Sequence, residues 1–315
     1  MAFEVVYHKK KIKLDLLDKK IYFHVLKNAR TPEKSLASLL RISPQRFHYK
    51  LKRLKKNILS PAVLINFPLL GINSYFILTS QLLDQTIPKL KNSSEIFGLF
   101  QAIGKYQYMV QVITNDIVDF CKKYLSSYYV EIHLIVRYIP DEYNPFLFEQ
   151  IITKPKEDKK IVLDRKDYKI LLALSSSPHD SFLSLSQKTR LDRQTIKSRI
   201  KILQDANVIQ KFNYGSHIFN LGFLVYMLKI EVIPQVREKT LNEIRSNPFA
   251  GFVYETYTGF IMYYMPPSHR ELFDLTKQVE NIEPTTRIEP IQITEVIKLD
   301  PIPRKIIQIF EERAK

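Results

Sequence analysis

The sequence is poor in cysteine: Cys121 stands alone in 315 residues, which excludes an internal disulfide framework and any Cys-rich zinc site. That usage fits a reducing, cytoplasmic setting. No apolar run approaches the ~20 residues that span a bilayer; residues 67–70 and 75–78 fall far short. The opening stretch, 1–14, is too charged to hold the apolar core of a signal peptide. Glycine is scarce, and there is no Gly-rich phosphate loop, no nucleophile elbow and no cysteine cluster. The histidines (His8, His24, His48, His133, His179, His217 and His269) show no metal-ligand spacing. No catalytic group, cofactor, metal or membrane partner is therefore expected.

What is present is a repeat. The run from Leu14 to Ile21, LDLLDKKI, returns from Leu163 to Ile170 as LDRKDYKI. The same offset of 149 carries Leu36 onto Leu185, Phe47 onto Ile196, Leu51 onto Ile200 and Leu54 onto Leu203. Two homologous units are implied rather than one large domain. Charge follows the repeat: of the formal +16, residues 1–66 carry +12 and residues 161–220 carry +5, while the remainder sums to −1. A surplus confined to two short modules points to a polyanion met by those modules.

Each module reads as three helices. Leu17, Ile21 and Val25 form an i, i+4, i+8 stripe; Thr31 and Pro32 open a second helix buried through Leu36, Leu39 and Leu40; Ser43-Pro44 opens a third. Asp192 caps the matching third helix in the second module. The acidic pairs Asp15/Asp18 and Asp164/Asp167 fall in the first turn of each opening helix, where carboxylates favour the helix dipole, so their role is structural. β-prone stretches at 58–65 and 208–212 follow the third helices and read as wings. Beyond Leu70-Gly71 and Leu221-Gly222, strand-like and helix-like runs alternate as β-α-β-β-α-β in both halves.

The expected class is α+β: two winged helix-turn-helix domains alternating with two ferredoxin-like βαββαβ domains. The boundaries are 1–66, 67–140, a Pro- and charge-rich linker at 141–160, 161–218, 219–300 and a terminal helix at 301–315. With Phe47, Leu51 and Leu54 facing inward, the helical period turns Gln45, Arg46, His48, Tyr49, Lys52 and Arg53 outward. Gln45, Arg46 and Tyr49 are placed to read bases, and Lys50, Lys52, Arg53, Lys55 and Lys56 to hold phosphates. In the second module Arg193, Gln194, Thr195 and Ser198 take the reading positions and Lys197, Arg199 and Lys201 the backbone positions. The two reading surfaces differ, so an asymmetric double-stranded DNA site is expected.

These residues resemble the Lrp/AsnC family of prokaryotic regulators. The likeness rests on Leu14-Asp15-x-x-Asp18-x-x-Ile21, Leu36-Ala37, the Ile42-Ser43 turn, Leu54 with Asn57-Ile58, and Gly104-Lys105-Tyr106-Gln107-Tyr108 between two central strands. It implies a regulator that is a pseudo-dimer within one chain, its βαββαβ domains paired through their sheets, possible binding of a small effector near Gly104, Tyr106, Tyr108 and Gly259, and a possible homodimer through exposed sheet edges. Gln107 replaces the family's usual Asp, and Thr258-Gly259-Phe260 lacks the polar pattern altogether. Two other readings remain beside it. An architectural DNA binder would be basic throughout, and a sirohaem-decarboxylase-like enzyme would gather histidines at the central strands.

Overall fold

The computed structural model describes residues 13–139, 158–159, 161–216, 223–283, 286–300 and 302–315. The linker at 141–160, apart from residues 158–159, lies outside the described residues, as do the Leu221-Gly222 pair, His8 and His217. Packing divides the chain into two units that interleave along the sequence. One holds both helical modules and the terminal helix; the other holds both βαββαβ domains.

In the helical unit the first module comprises α1 (Leu16–Lys27), α2 (Glu33–Leu39) and α3 (Pro44–Asn57), followed by β1 (Leu59–Ile65). The second module comprises α6 (Arg165–Ser176), α7 (Phe182–Thr189) and α8 (Arg193–Asp205), followed by β6 (Ile209–Ser216). Asp15 and Asp164 close capping boxes with Asp18 and Asp167, satisfying orphan amides at each helix start. Phe47, Leu51 and Leu54 are buried on α3, and Ile196, Ile200 and Leu203 on α8, as the apolar spacing requires. The two β-prone stretches do not form separate wing hairpins. Among the described residues neither has a strand partner in its own module, and β1 and β6 pair with each other, antiparallel, from Leu59 opposite Ser216 to Ile65 opposite Ile209.

That ribbon joins the modules, and Arg30 reinforces it. Its guanidinium lies 4.3 Å over the Phe212 ring and 5.3 Å over Phe182, and donates to the Asp180 carbonyl at 2.9 Å. Asp158 accepts from Asn66 Nδ2 at 3.2 Å and Asn207 Nδ2 at 2.7 Å, one residue from each module. The terminal helix α11 (Arg304–Ala314) packs on α6, with Phe310 against the Tyr168 ring and Arg313 donating to the Tyr168 hydroxyl.

In the second unit β2 (Ser74–Thr79), α4 (Thr86–Asn92), β3 (Ile96–Ile103), β4 (Tyr108–Ile113), α5 (Ile117–Tyr124) and β5 (Val130–Ile139) form one βαββαβ domain. The other is β7 (Tyr226–Glu231), α9 (Arg237–Ser246), β8 (Ala250–Thr256), β9 (Gly259–Tyr264), α10 (His269–Glu280) and β10 (Arg287–Leu299). The sheets join at both seams, β5 with β8 and β10 with β3, to close an eight-stranded barrel. Each barrel strand thus has neighbours on both sides, so the exposed sheet edges proposed for a homodimer are absent from it. β2 and β4 are buried along their whole length because both faces are covered. Tyr75, Ile77, Val110 and Val112 face Leu90 and Phe120 in one helix-backed core, and Leu228, Ile230, Phe260 and Met262 face Ile244 and Leu275 in the other.

Candidate nucleic-acid interface

The outer faces of α3 and α8 carry the predicted set, but not every member is available. Gln45, Arg46, Tyr49, Lys52 and Lys56 on α3 are exposed, as are Arg193, Gln194, Lys197, Ser198 and Lys201 on α8. Among the described residues none of these side chains is ion-paired. Tyr49, 69% exposed, is a large ring with no packing role in the module.

Six expected DNA contacts have partners within the protein. Lys50 bonds Asp15 and lies 3.1 Å from Asp18, and Arg53 bonds the fully buried Asp18. Lys50 holds the Asp15 carboxyl down at about 2 through their hydrogen bond, with the Asp18 amide adding to the effect. In the second module Arg199, the repeat-mate of Lys50, binds Asp164 at 2.7 Å and Asp167 at 3.3 Å. These cations brace the recognition helix against the first helix of its own module. A buried carboxylate needs a counter-charge, and that demand outranks a phosphate contact. Thr195 is also spent: its amide and hydroxyl both bond the N-cap Asp192, so it does not present its hydroxyl to a base. His48 pairs with Glu33 at 3.0 Å, and Lys55 lies 3.9 Å from Glu33 and 5.5 Å over the Tyr214 ring. Apart from Thr195, which sits three residues after its own N-cap Asp192, no sequence signal distinguishes these residues from their unpaired neighbours, because the acids concerned lie on other helices.

The second expected site, around the β3–β4 and β8–β9 hairpins, is less uniform. Tyr106 is buried, its hydroxyl donating to Glu131, but Tyr108 packs in the helix-side core. Gly104 and Lys105 stand exposed at their hairpin. Gly259 is a packing glycine: a β-carbon there would lie 1.9 Å from the Ile230 carbonyl oxygen. Arg237 stitches the same hairpin by donating to the Thr256, Tyr257 and Gly259 carbonyls. Gly259→Ala is expected to destabilise the protein by about 2 kcal/mol or more, read as a fall of several degrees in the thermal midpoint by calorimetry.

Beside Gly104 a cleft of about 1010 Å³ opens, lined by Lys105, Glu131, Lys229, Glu231, Glu280, Arg287 and Glu289 among others. Lys229 reaches Glu131 at 2.6 Å and Glu231 and Glu289 at 3.2 Å each. His133 Nε2 lies 2.9 Å from the same Glu131, and burial pushes this imidazole below its usual pKa. Sequence reasoning missed this cluster, including a histidine within reach of the Tyr106 segment, since β5 carries no motif. Among the described residues no group of His, Cys, Asp and Glu is arranged to hold a metal ion, and no helix is long and apolar enough to cross a membrane.

Comparison with known proteins agrees with this geometry. The family of winged helix-turn-helix DNA-binding proteins matches twice, at residues 14–57 and 163–210. A curated relative, the HTH-type transcriptional regulator Ptr1 of Methanocaldococcus jannaschii, is 30% identical over 96 residues, which is 30% of this chain and 65% of that regulator. Among solved structures, the siroheme decarboxylase NirDL superposes with a TM-score of 0.60 at 13% identity, covering 94% of this chain and 97% of that one. The leucine response regulatory protein LrpA of Mycobacterium tuberculosis is 18% identical and covers 44% of this chain and 97% of its own, with a TM-score of 0.39. Each half of the chain therefore carries a three-helix module similar to the winged helix-turn-helix DNA-binding family, followed by a βαββαβ domain.

Proposed function

We propose that the protein is a sequence-specific DNA-binding transcriptional regulator, acting as a pseudo-dimer whose two different recognition helices read an asymmetric double-stranded site. The observation that carries this reading is the pair of exposed, unpaired reading faces, Gln45-Arg46-Tyr49 and Arg193-Gln194-Ser198, on modules joined by one β-ribbon. Arginine suits guanine and glutamine suits adenine in the major groove. Lys52, Lys56, Lys197 and Lys201 supply phosphate contacts around them. The four phosphate-contacting lysines should by themselves give a log–log salt dependence with a slope of about −4 in anisotropy titrations on duplex DNA. A flat dependence would sink the reading. Selection of bound fragments from a genomic pool should return one motif with unlike halves, whereas an architectural binder would return no motif.

A sirohaem-decarboxylase-like activity is the second reading, favoured by the NirDL fold and by His133 in the barrel cluster. The charge of the cleft does not favour it. Four glutamates line it against three cations, Lys105, Lys229 and Arg287, and Lys229 is already committed to three of the glutamates, so the cleft offers a polycarboxylate macrocycle no cationic surplus. The same cleft is the place where a small effector would act on the regulator, and its mixed lining of four glutamates and three cations suits a zwitterionic ligand. Mixing the protein with iron-uroporphyrin and recording the visible spectrum decides between the readings: a shifted Soret band at stoichiometric protein supports the enzyme, an unchanged one the regulator.

A further inference from the structure

Arg41 and Arg190 occupy the same place in the two modules, 149 residues apart, and both sit in left-handed backbone, with φ of +53° and +57°. Arg41 follows α2 at the position where helices usually place glycine: its amide bonds the Ser38 carbonyl while the Ile42 amide bonds that of Ala37. Arg190 closes α7 with its amide on the Ser186 carbonyl at 2.9 Å. The other described non-glycine residue with positive φ, Asn207, is of a type that tolerates this region. Arginine has no such tolerance, and its β-carbon makes the conformation costly. A strained residue of one type, kept at both copies of a turn, asks for a use of the side chain.

The side chains fit one. Both arginines are exposed, and among the described residues neither guanidinium has an ion pair, whereas Lys50 and Arg199 nearby are committed to aspartates. Each stands two residues ahead of the N-cap of its recognition helix, Ser43 or Asp192. In a docked helix-turn-helix the N-terminal turn of that helix enters the major groove, so the residue just before it lies against the groove wall, where the phosphates run. We infer that Arg41 and Arg190 are phosphate clamps, one per half-site, which fix the entry of each recognition helix and carry no base preference of their own. The inference rests on the DNA-binding reading above.

The test uses Arg41→Gly, Arg190→Gly and the double variant. Glycine removes the charge while relieving the backbone, so the thermal midpoint should hold or rise, which separates lost binding from lost folding. Anisotropy titrations on a mixed-sequence duplex, across roughly 50 to 200 mM salt, should show the log–log slope shallower by about 0.9 for each single variant and about 1.8 for the double. Arg41→Lys should recover most of the lost slope. Should the wild-type protein bind steeply and the double glycine variant keep its slope, the clamp is overturned while the DNA-binding reading stands. Absence of duplex binding by the wild-type protein overturns both.

Discussion

Arg46→Ala is expected to cost about 1–3 kcal/mol of binding, roughly a ten- to hundredfold loss, and the loss should be confined to one half of the DNA site. Arg46 is exposed on the first turn of α3, where the Ser43 side chain caps its amide at 3.3 Å, so its side chain is delivered to the groove on a fixed backbone. Arg193 holds the corresponding place on α8 behind Asp192, and Arg193→Ala should affect the other half. The two losses should add to within about 0.5 kcal/mol, because the residues share no partner. Lys52→Ala should behave differently, weakening every sequence alike and making the salt slope shallower by about one. Anisotropy titrations against duplexes substituted base by base in each half measure all of this. Equal losses on every duplex for Arg46→Ala would show that its role is phosphate contact, and the assignment of base readers would fall.

The helices and strands were legible because their apolar spacing is regular. The period-four stripe of Leu17, Ile21 and Val25 marks α1, and the β-α-β-β-α-β order read beyond Leu70-Gly71 is the order of β2 to β5 with α4 and α5. Which strands pair was not legible. Nothing local in residues 58–65 distinguishes a wing that folds back on its own module from a strand that crosses to the other, as β1 does to β6. The candidate site divides in the same way. Exposure on α3 and α8 follows from periodicity, so Arg46 and Tyr49 could be placed. The loss of Lys50, Arg53 and Arg199 to aspartates depends on interhelical approach, which sequence spacing does not encode.

Fusion of two units in one chain also changes what each half can carry. In the first repeat Leu78 stands opposite Glu131 across β2 and β5, and in the second Lys229 stands opposite Glu289 across β7 and β10. Glu131 and Glu289 are thus equivalent positions, and both bind the one Lys229. A symmetric dimer of identical chains would place two lysines or none in this cluster. The covalent link permits an odd count, just as it permits a terminal helix, α11, to pack on α6 of the second module. The same freedom lets α3 and α8 carry different readers, which is the physical basis for an asymmetric site.

Lys229→Met should therefore be among the most damaging single changes in the barrel. It leaves Glu131, Glu231 and Glu289 without their common counter-charge, at a cost of about 2–3 kcal/mol once the partial exposure of the three carboxylates is allowed for. The pH dependence should change sign as well. In the wild-type protein burial raises the Glu131 carboxyl, but hydrogen bonds from Lys229 and Tyr106 outweigh it and hold the group below its usual value. His133 is likewise held below its usual value by burial. A depressed folded-state pKa means that the unfolded chain binds more protons, so both groups stabilise the protein at neutral pH and lose that contribution on acidification. The loss begins below about 6.5 for His133 and below about 4.3 for Glu131. Without Lys229 the main group holding Glu131 down is gone and burial raises its carboxyl instead, so protonation of Glu131 now favours the folded state. Chemical denaturation between about pH 7 and 5 should then show the wild-type protein losing stability as pH falls and Lys229→Met regaining part of its deficit. Parallel pH profiles for the two proteins would mean that Lys229 is not the counter-charge on which this cluster depends.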